Sequence, residues 1–213
     1  MKIAIVSASG RIGSRLVNEA LERGHDVTAI VRHPEKITTQ HPRLTVVQGD
    51  ALDVDNLVNT TRGHDVLISA YSPGMTPTDD QSQFSTVAHN LIEAVKQSDV
   101  SRVIVVGGAS SLEVAPGVRL IDTPQFPDFL KPHAAGSAAA LDILRASEID
   151  WTYFSPAISI EPGTRTGTYR LGKDNPIFDA QGKSDISMED YSAALIDEVE
   201  RPQFLRQRFT IGY

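Results

Sequence analysis

The segment Ile3-Ala4-Ile5-Val6-Ser7-Ala8-Ser9-Gly10-Arg11-Ile12-Gly13-Ser14-Arg15-Leu16-Val17 constrains the fold more than any other. A short apolar run gives way to small residues, and amphipathic spacing starts at once. The pattern predicts strand, tight turn and helix. Such a turn gathers backbone N–H groups and a helix N-terminus where a diphosphate can sit. Gly10 has no Cβ to keep a phosphate from the backbone, and Gly13 lets the helix pack close to the strand. Ser7 stands where the usual fingerprint has its first glycine. Ser7, Ser9, Gly10, Arg11, Ile12 and Gly13 are therefore candidate dinucleotide contacts; a purely structural strand–helix turn is the alternative.

The rest of the chain repeats this alternation. Strands are expected at Lys2–Val6, Asp26–Val31, Leu44–Val47, Asp65–Ser69, Arg102–Val106 and Trp151–Phe154. Helices are expected over Arg11–Arg23, Asp53–Thr60, Asp79–Gln97 and His133–Ser147. Gly24 can end the first helix, Pro34 opens a short turn, and Asp53 can cap the helix that follows it. Alternation of this kind requires right-handed crossovers and a parallel sheet covered on both faces. The predicted fold class is α/β, a doubly wound Rossmann-type parallel sheet with a small C-terminal lobe. Residues 1–213 read as one domain, of which 155–213 contribute the lobe. A strand near Gly167–Leu171, a helix near Met188–Glu200 and a last strand at Arg208–Gly212 complete it. Between Ser110 and Pro132 a proline-rich stretch carries Leu112, Val114, Phe126 and Phe129, read as an ordered lid.

Charge and composition exclude several classes. Twenty Lys+Arg against 27 Asp+Glu leave a net charge of −7, which opposes nucleic-acid and anionic-membrane partners. The chain has no cysteine, so disulfides, thiolate nucleophiles and zinc–thiolate sites are excluded. The histidines show no metal-ligand spacing, and no metal is expected. No apolar run approaches membrane-spanning length. The first residues enter a strand without a charged leader, so a cytoplasmic protein is expected. A homodimer stays open.

Ligands of parallel sheets gather at the carboxyl ends of the strands. The second strand ends in Val31-Arg32, with no acidic residue to favour a free ribose 2′-hydroxyl. Arg32 can hold a 2′-phosphate, and Arg11 can add a second cation. This favours NADP(H), with NAD(H) second; a solvated strand-end charge is the plain alternative for Arg32. Gly49-Asp50-Ala51 follows the third strand, where Asp50 can accept from the adenine amino group or cap the next turn. Ser69-Ala70-Tyr71 ends the fourth, Gly107-Gly108 the fifth and Ser155-Pro156 the sixth; all are candidate cofactor contacts.

Together these segments resemble the atypical short-chain dehydrogenases/reductases. The chain is similar to the NADH-flavin reductase-like proteins, with biliverdin reductase B and NmrA-like proteins as wider relatives. The resemblance is carried by Ser7–Gly13, Val31-Arg32, Gly49-Asp50, Val105-Val106-Gly107-Gly108-Ala109-Ser110 and Asp150-Trp151-Thr152-Tyr153-Phe154-Ser155-Pro156. It continues through Arg165–Arg170, Ile186–Tyr191 and Arg208–Tyr213. It implies that Gly10, Arg11, Ile12, Gly13, Arg32, Asp50 and Ala70 contact the dinucleotide.

The family's usual Tyr-x-x-x-Lys pair is missing: His133 falls at the tyrosine position and Ser137 at the lysine position. Reducing a ketone builds charge on oxygen and needs an acid nearby. Reducing a flavin or quinone can finish with protons from water. The expectation is an NAD(P)H-dependent oxidoreductase passing hydride to a flavin, quinone or similar planar acceptor, with flavin as substrate rather than tightly bound. The alternatives are an NADP(H)-sensing regulator of the NmrA type and an epimerase or dehydratase of a small substrate. His133 as proton donor and Ser110 as hydrogen-bond donor are the catalytic candidates. A solvent-facing helix start and a loop-turn residue are their plain readings.

Overall fold

The computed structural model describes residues 1–76 and 78–213. Its elements are β1 (Lys2–Val6), α1 (Arg11–Glu22), β2 (Asp26–Val31), β3 (Leu44–Gln48), α2 (Val54–Thr61), β4 (Val66–Ser69), α3 (Gln83–Gln97) and β5 (Arg102–Val106). They continue with β6 (Glu113–Ala115), β7 (Val118–Arg119), α4 (Lys131–Arg145), β8 (Trp151–Ser155), β9 (Ser159–Glu161), β10 (Arg170–Gly172), β11 (Asp185–Ser187), α5 (Met188–Glu200) and β12 (Gln207–Gly212).

The main sheet has eight strands in the order β10-β12-β8-β5-β4-β1-β2-β3. Neighbours run parallel except for β10, which lies antiparallel on β12. The inner strands are buried on both faces, which explains their unbroken apolar runs. Alternate residues of β1 show the division. Ile3 and Ile5 join the core with Leu16 of α1 and Tyr191 and Leu195 of α5. Ala4 and Val6 join Leu57, Leu91 and Leu141 of α2, α3 and α4 on the other face. The chain runs outward from β1 to β2 and β3, then returns to β4 on its far side. That reversal opens a crevice at the carboxyl end of β1.

Residues 155–213 have two parts. α5 packs on α1, and β12 enters the main sheet beside β8. Phe209 of β12 stacks on Phe154 at 3.9 Å, and Phe154 on Tyr191 at 4.2 Å. The small parallel pair β9–β11 forms the lobe beside the start of α1.

Local signals act as the sequence predicts in several places. Gly24 ends α1 with φ +81° and its N–H bonded to the Leu21 carbonyl at 2.9 Å. The Asp53 carboxylate caps α2 by accepting from the Asn56 N–H at 3.0 Å. α3 starts at Gln83 rather than Asp79, because the Asp79 carboxylate accepts from the Thr76 N–H at 2.7 Å in a turn of its own. The 110–132 stretch folds into the β6–β7 hairpin and two short 3₁₀ turns. Leu112 is fully buried in it, whereas Phe129 is 74% exposed, so these residues form no single apolar wall. Among the described residues no helix is long and apolar enough to cross a membrane.

Candidate dinucleotide site

β1 delivers the chain to the crevice and Ser7 turns it. Ser7 has φ +57°, a left-handed conformation that an L-residue adopts at a cost. Its carbonyl accepts from the Gly10 N–H at 3.0 Å, which closes the turn. Gly13 is buried against that turn: a Cβ there would lie 2.3 Å from the Ser7 carbonyl oxygen. α1 begins at Arg11 with no side chain capping it and no acidic residue in its first turn. Its leading N–H groups have no intrahelical acceptor and form the electropositive end of the helix.

These groups border a cavity of about 440 Å³. Ser7, Ser9, Gly10, Arg11 and Ile12 line it from the turn. Arg32 lines it from the end of β2, Gly49, Asp50 and Ala51 from beyond β3, and Ala70 and Tyr71 from beyond β4. Gly107 and Gly108 line it from beyond β5, and His133 from α4. Gly13, Ser69, Ser110, Ser155 and Pro156 do not border this cavity. Gly13 supports the turn from behind. Ser69 and Ser155 are buried in the sheet, and Pro156 is buried at its end. The Ser110 hydroxyl is also buried and donates to the Ala134 carbonyl at 3.4 Å.

The sequence reading missed His33, Lys36, Ser72, Gly74 and Phe84, which also line the cavity. His33 and Lys36 had a signal: His33 follows Arg32 directly, and Lys36 comes three residues later, in the short turn that Pro34 opens. Ser72, Gly74 and Phe84 come from the segment after β4 and the start of α3, where no motif marks them. Around the cavity, Arg11, Arg32, Lys36 and His33 face one lining carboxylate, Asp50. In a chain of net charge −7 this concentration of donors fits an anionic ligand. Asp50 also holds its own turn, its carboxylate accepting from the Leu52 N–H at 3.0 Å.

The far side of the cavity is organised by Tyr153, which is buried beneath Gly107 and Gly108. A Cβ on Gly107 would lie 2.1 Å from the Tyr153 ring. The Tyr153 hydroxyl accepts from the Gly108 N–H at 3.2 Å and is 2.7 Å from the Ser137 hydroxyl; burial pushes its pKa up. On α4, His133 and Ser137 lie four residues apart and both border the cavity. His133 Nε2 is 3.1 Å from the Ser72 hydroxyl, and the ring meets Phe84 edge-on at 5.0 Å. Burial lowers the imidazole pKa, against an opposing pull from Asp79. Tyr71 donates to Gln83 Oε1 at 2.5 Å and covers the same region.

A glycine-turn strand–helix unit at the reversal of a doubly wound sheet, with open helix N–H groups and flanking arginines, defines a Rossmann-type nucleotide-binding protein. The donor chemistry fits a dinucleotide: N–H groups for a diphosphate and guanidinium groups for further phosphate charge. The chain belongs to the NAD(P)H-binding family, whose match spans residues 7–202, and is of the atypical short-chain dehydrogenase type. It is 38% identical to the Bacillus subtilis protein YwnB, over 99% of this chain and 98% of that one. A solved structure of a candidate epimerase from Bacteroides thetaiotaomicron is 44% identical, with a TM-score of 0.91 over 100% of this chain and 96% of that one. A candidate NADH-flavin reductase from Streptococcus pneumoniae is 33% identical, with a TM-score of 0.89 over 100% and 99%. The family is oxidoreductase-like.

Proposed function

We propose that the protein is an NADPH-dependent reductase that passes hydride to a flavin, quinone or similar planar acceptor, with the acceptor bound as substrate. One observation carries this reading. The face that α4 turns to the cavity offers an imidazole of lowered pKa and a serine, four residues apart, in place of an acid–base pair built around tyrosine and lysine. A flat conjugated acceptor spreads the incoming charge over its ring and takes its proton from water. It therefore needs position and a dry surface more than a strong acid. The name of the Streptococcus pneumoniae relative supports the same chemistry.

The bound nicotinamide would supply the hydride. The residues of this chain would bind and orient. The first-turn N–H groups of α1 would take the diphosphate, and Arg32, with Lys36 beside it, the ribose 2′-phosphate. Asp50 would meet the adenine edge. Gly107 and Gly108 would allow close approach on the far side, with Tyr71 and Phe84 excluding water. Ser72 would hold His133 by its Nε2 and fix the imidazole at the cavity wall, where it would orient the acceptor while the proton comes from water.

Anaerobic oxidation of NADPH with FMN, FAD or a quinone tests this. Turnover with any of them, faster with NADPH than with NADH, is the expected result. Tight NADPH binding without turnover on any acceptor would instead favour a cofactor-sensing regulator. Turnover of a sugar-nucleotide substrate without net NADPH oxidation would favour an epimerase, as the Bacteroides thetaiotaomicron relative is named.

A further inference from the structure

α1 and its C-terminal cap carry Arg11, Arg15, Glu19 and Arg23 at intervals of four, a single stripe along one face. Each member pairs with the C-terminal part of the chain. Arg11 meets Glu161 at 2.9 Å, Arg15 meets Glu189 at 2.6 Å, Glu19 meets Arg165 at 2.7 Å and Arg23 meets Asp197 at 2.6 Å. The stripe is graded. At its inner end Arg23 and Glu19 are 18% and 7% exposed, and Arg23 also reaches Glu200 and the Ala193 carbonyl. At its outer end Arg11 and Glu161 are 61% and 70% exposed. There, among the described residues, Glu161 is the one carboxylate paired with Arg11.

That outer end is the rim of the cavity. Arg11 lines it, one residue into α1 and beside the open N–H groups, while Glu161 belongs to β9 of the lobe. A carboxylate in this place repels an anionic ligand and holds a cation that the ligand could use. An ion pair this exposed is weak, and a phosphate group offers the guanidinium a bidentate partner of greater charge.

We infer that Glu161 competes with the dinucleotide's phosphates for Arg11, so that the outermost pair of the stripe opens on binding while the three inner pairs stay closed. Glu161 is then an affinity-setting residue that acts through Arg11. The inference rests on the reading that the cavity takes a nicotinamide dinucleotide.

Calorimetric titration of NADPH and NADH into the wild type, Glu161→Gln, Arg11→Gln and the double variant tests it, with thermal melting as a check on folding. Glu161→Gln is expected to tighten binding by about two- to fivefold, the scale of an exposed ion pair. In the Arg11→Gln background the same change is expected to have no effect. A gain confined to NADPH assigns Arg11 to the 2′-phosphate, and an equal gain for both nucleotides assigns it to the diphosphate; either supports competition. Unchanged or weaker binding by Glu161→Gln overturns the inference. So does an equal gain with and without Arg11, because the carboxylate would then act only through its distant charge. If the wild type binds neither nucleotide, the reading of the cavity itself has failed, and the inference goes with it.

Discussion

Gly10 and Gly13 are both small for a reason, but the structure gives them different reasons, and two alanine variants separate these. At Gly13 a Cβ would lie 2.3 Å from the Ser7 carbonyl oxygen and 2.9 Å from Ala8 Cα. Both obstacles are backbone, so relief requires α1 to withdraw from the turn by about 1 Å to restore ordinary contact. Overpacking of this kind costs about 1–3 kcal/mol, and two rigid obstacles put it at the upper end. The better helix propensity of alanine offsets about 1 kcal/mol. The net loss of about 2 kcal/mol corresponds to a fall in Tm of roughly 4–8 °C for a domain of this size. At Gly10 the backbone has φ −75° and ψ 174°, which any residue adopts, and the nearest atom to a Cβ is 3.3 Å away. Gly10→Ala should therefore melt within about 2–3 °C of the wild type, a change under about 1 kcal/mol. Yet Gly10 borders the cavity, and a methyl group there would crowd a diphosphate, weakening NADPH by roughly 10- to 100-fold. Scanning calorimetry without ligand and titration with NADPH measure the two effects. If Gly13→Ala melts with the wild type, or Gly10→Ala binds NADPH as tightly as the wild type, the steric argument is wrong.

Arg32→Ala removes a charge-assisted contact worth about 1.5–3 kcal/mol, so NADPH should weaken by roughly 10- to 100-fold while NADH stays nearly unchanged; equal losses by titration would remove Arg32 from 2′-phosphate recognition. Ser7→Gly relieves a left-handed φ of +57° that costs about 1–2 kcal/mol, less about 0.4–1 kcal/mol of added freedom in the unfolded chain, so a mid-range net gain of about 0.8 kcal/mol should raise Tm by roughly 2–3 °C in scanning calorimetry. The lowered pKa of His133 gives a stability contribution that is present above the unfolded imidazole value of 6.5 and is lost as pH falls through the lower folded value. Urea unfolding should therefore show the wild type losing stability more steeply between about pH 7 and pH 5 than His133→Asn, and parallel curves would contradict this. Glu198→Ala removes the counter-charge of the Arg102 guanidinium, 5% exposed and 3.1 Å from it, leaving only the Glu198 and Val199 backbone carbonyls as partners, and leaves the Gln203 and Phe204 N–H groups without an acceptor. Urea titration should show a loss of about 3–5 kcal/mol.

The inner strands of the main sheet were legible because burial on both faces demands apolar runs that polar segments interrupt, whereas the exposed edge strand β10 overlaps the expected Gly167–Leu171 only at Arg170 and Leu171. β1, β2 and β5 begin and end where the sequence predicts, and β3, β4 and β8 differ by one residue at one end. The short strands β6, β7, β9 and β11 were not legible. Each has three residues or fewer, too short for a period to show; β6 and β7 pair with each other in a tight hairpin, while β9 and β11 are fixed by pairing between distant segments. Ile186 of β11, for example, pairs with Ile160 of β9 across a loop. Helix starts were lost where an acidic residue had two uses. Asp79 could have capped α3, but its carboxylate closes a turn on Thr76 instead. Ser155 and Ser110 look like rim residues by position, since each follows a strand core. Ser155 is drawn into β8 by its partner Thr210 on β12, and Ser110 is turned inward to Ala134. Neither contact is visible from local pattern.

The glycines show how far a motif can carry a functional reading. Gly107 and Gly108 are candidate cofactor contacts by their place after the fifth strand, and they do border the cavity. Yet the Tyr153 ring would exclude a side chain from Gly107 whether or not any ligand bound. Gly49 is likewise closed by Ile30 and Asn56, with Cβ contacts of 2.6 and 2.7 Å, and Gly74 combines φ +105° with an Asp79 oxygen 2.4 Å from its Cβ. In each case packing or backbone geometry already accounts for the glycine. Gly10 is different. Among the glycines that border the cavity it has the most room for a Cβ, and its backbone imposes no left-handed strain. A Cβ there would meet only the Ser7 carbonyl oxygen, at a slightly tight 3.3 Å, so the fold alone disfavours a side chain mildly, and the proposed dinucleotide beside the uncapped start of α1 would supply the stronger reason. The weight of the dinucleotide reading thus falls on Gly10 rather than on the glycine-rich ends of the other strands.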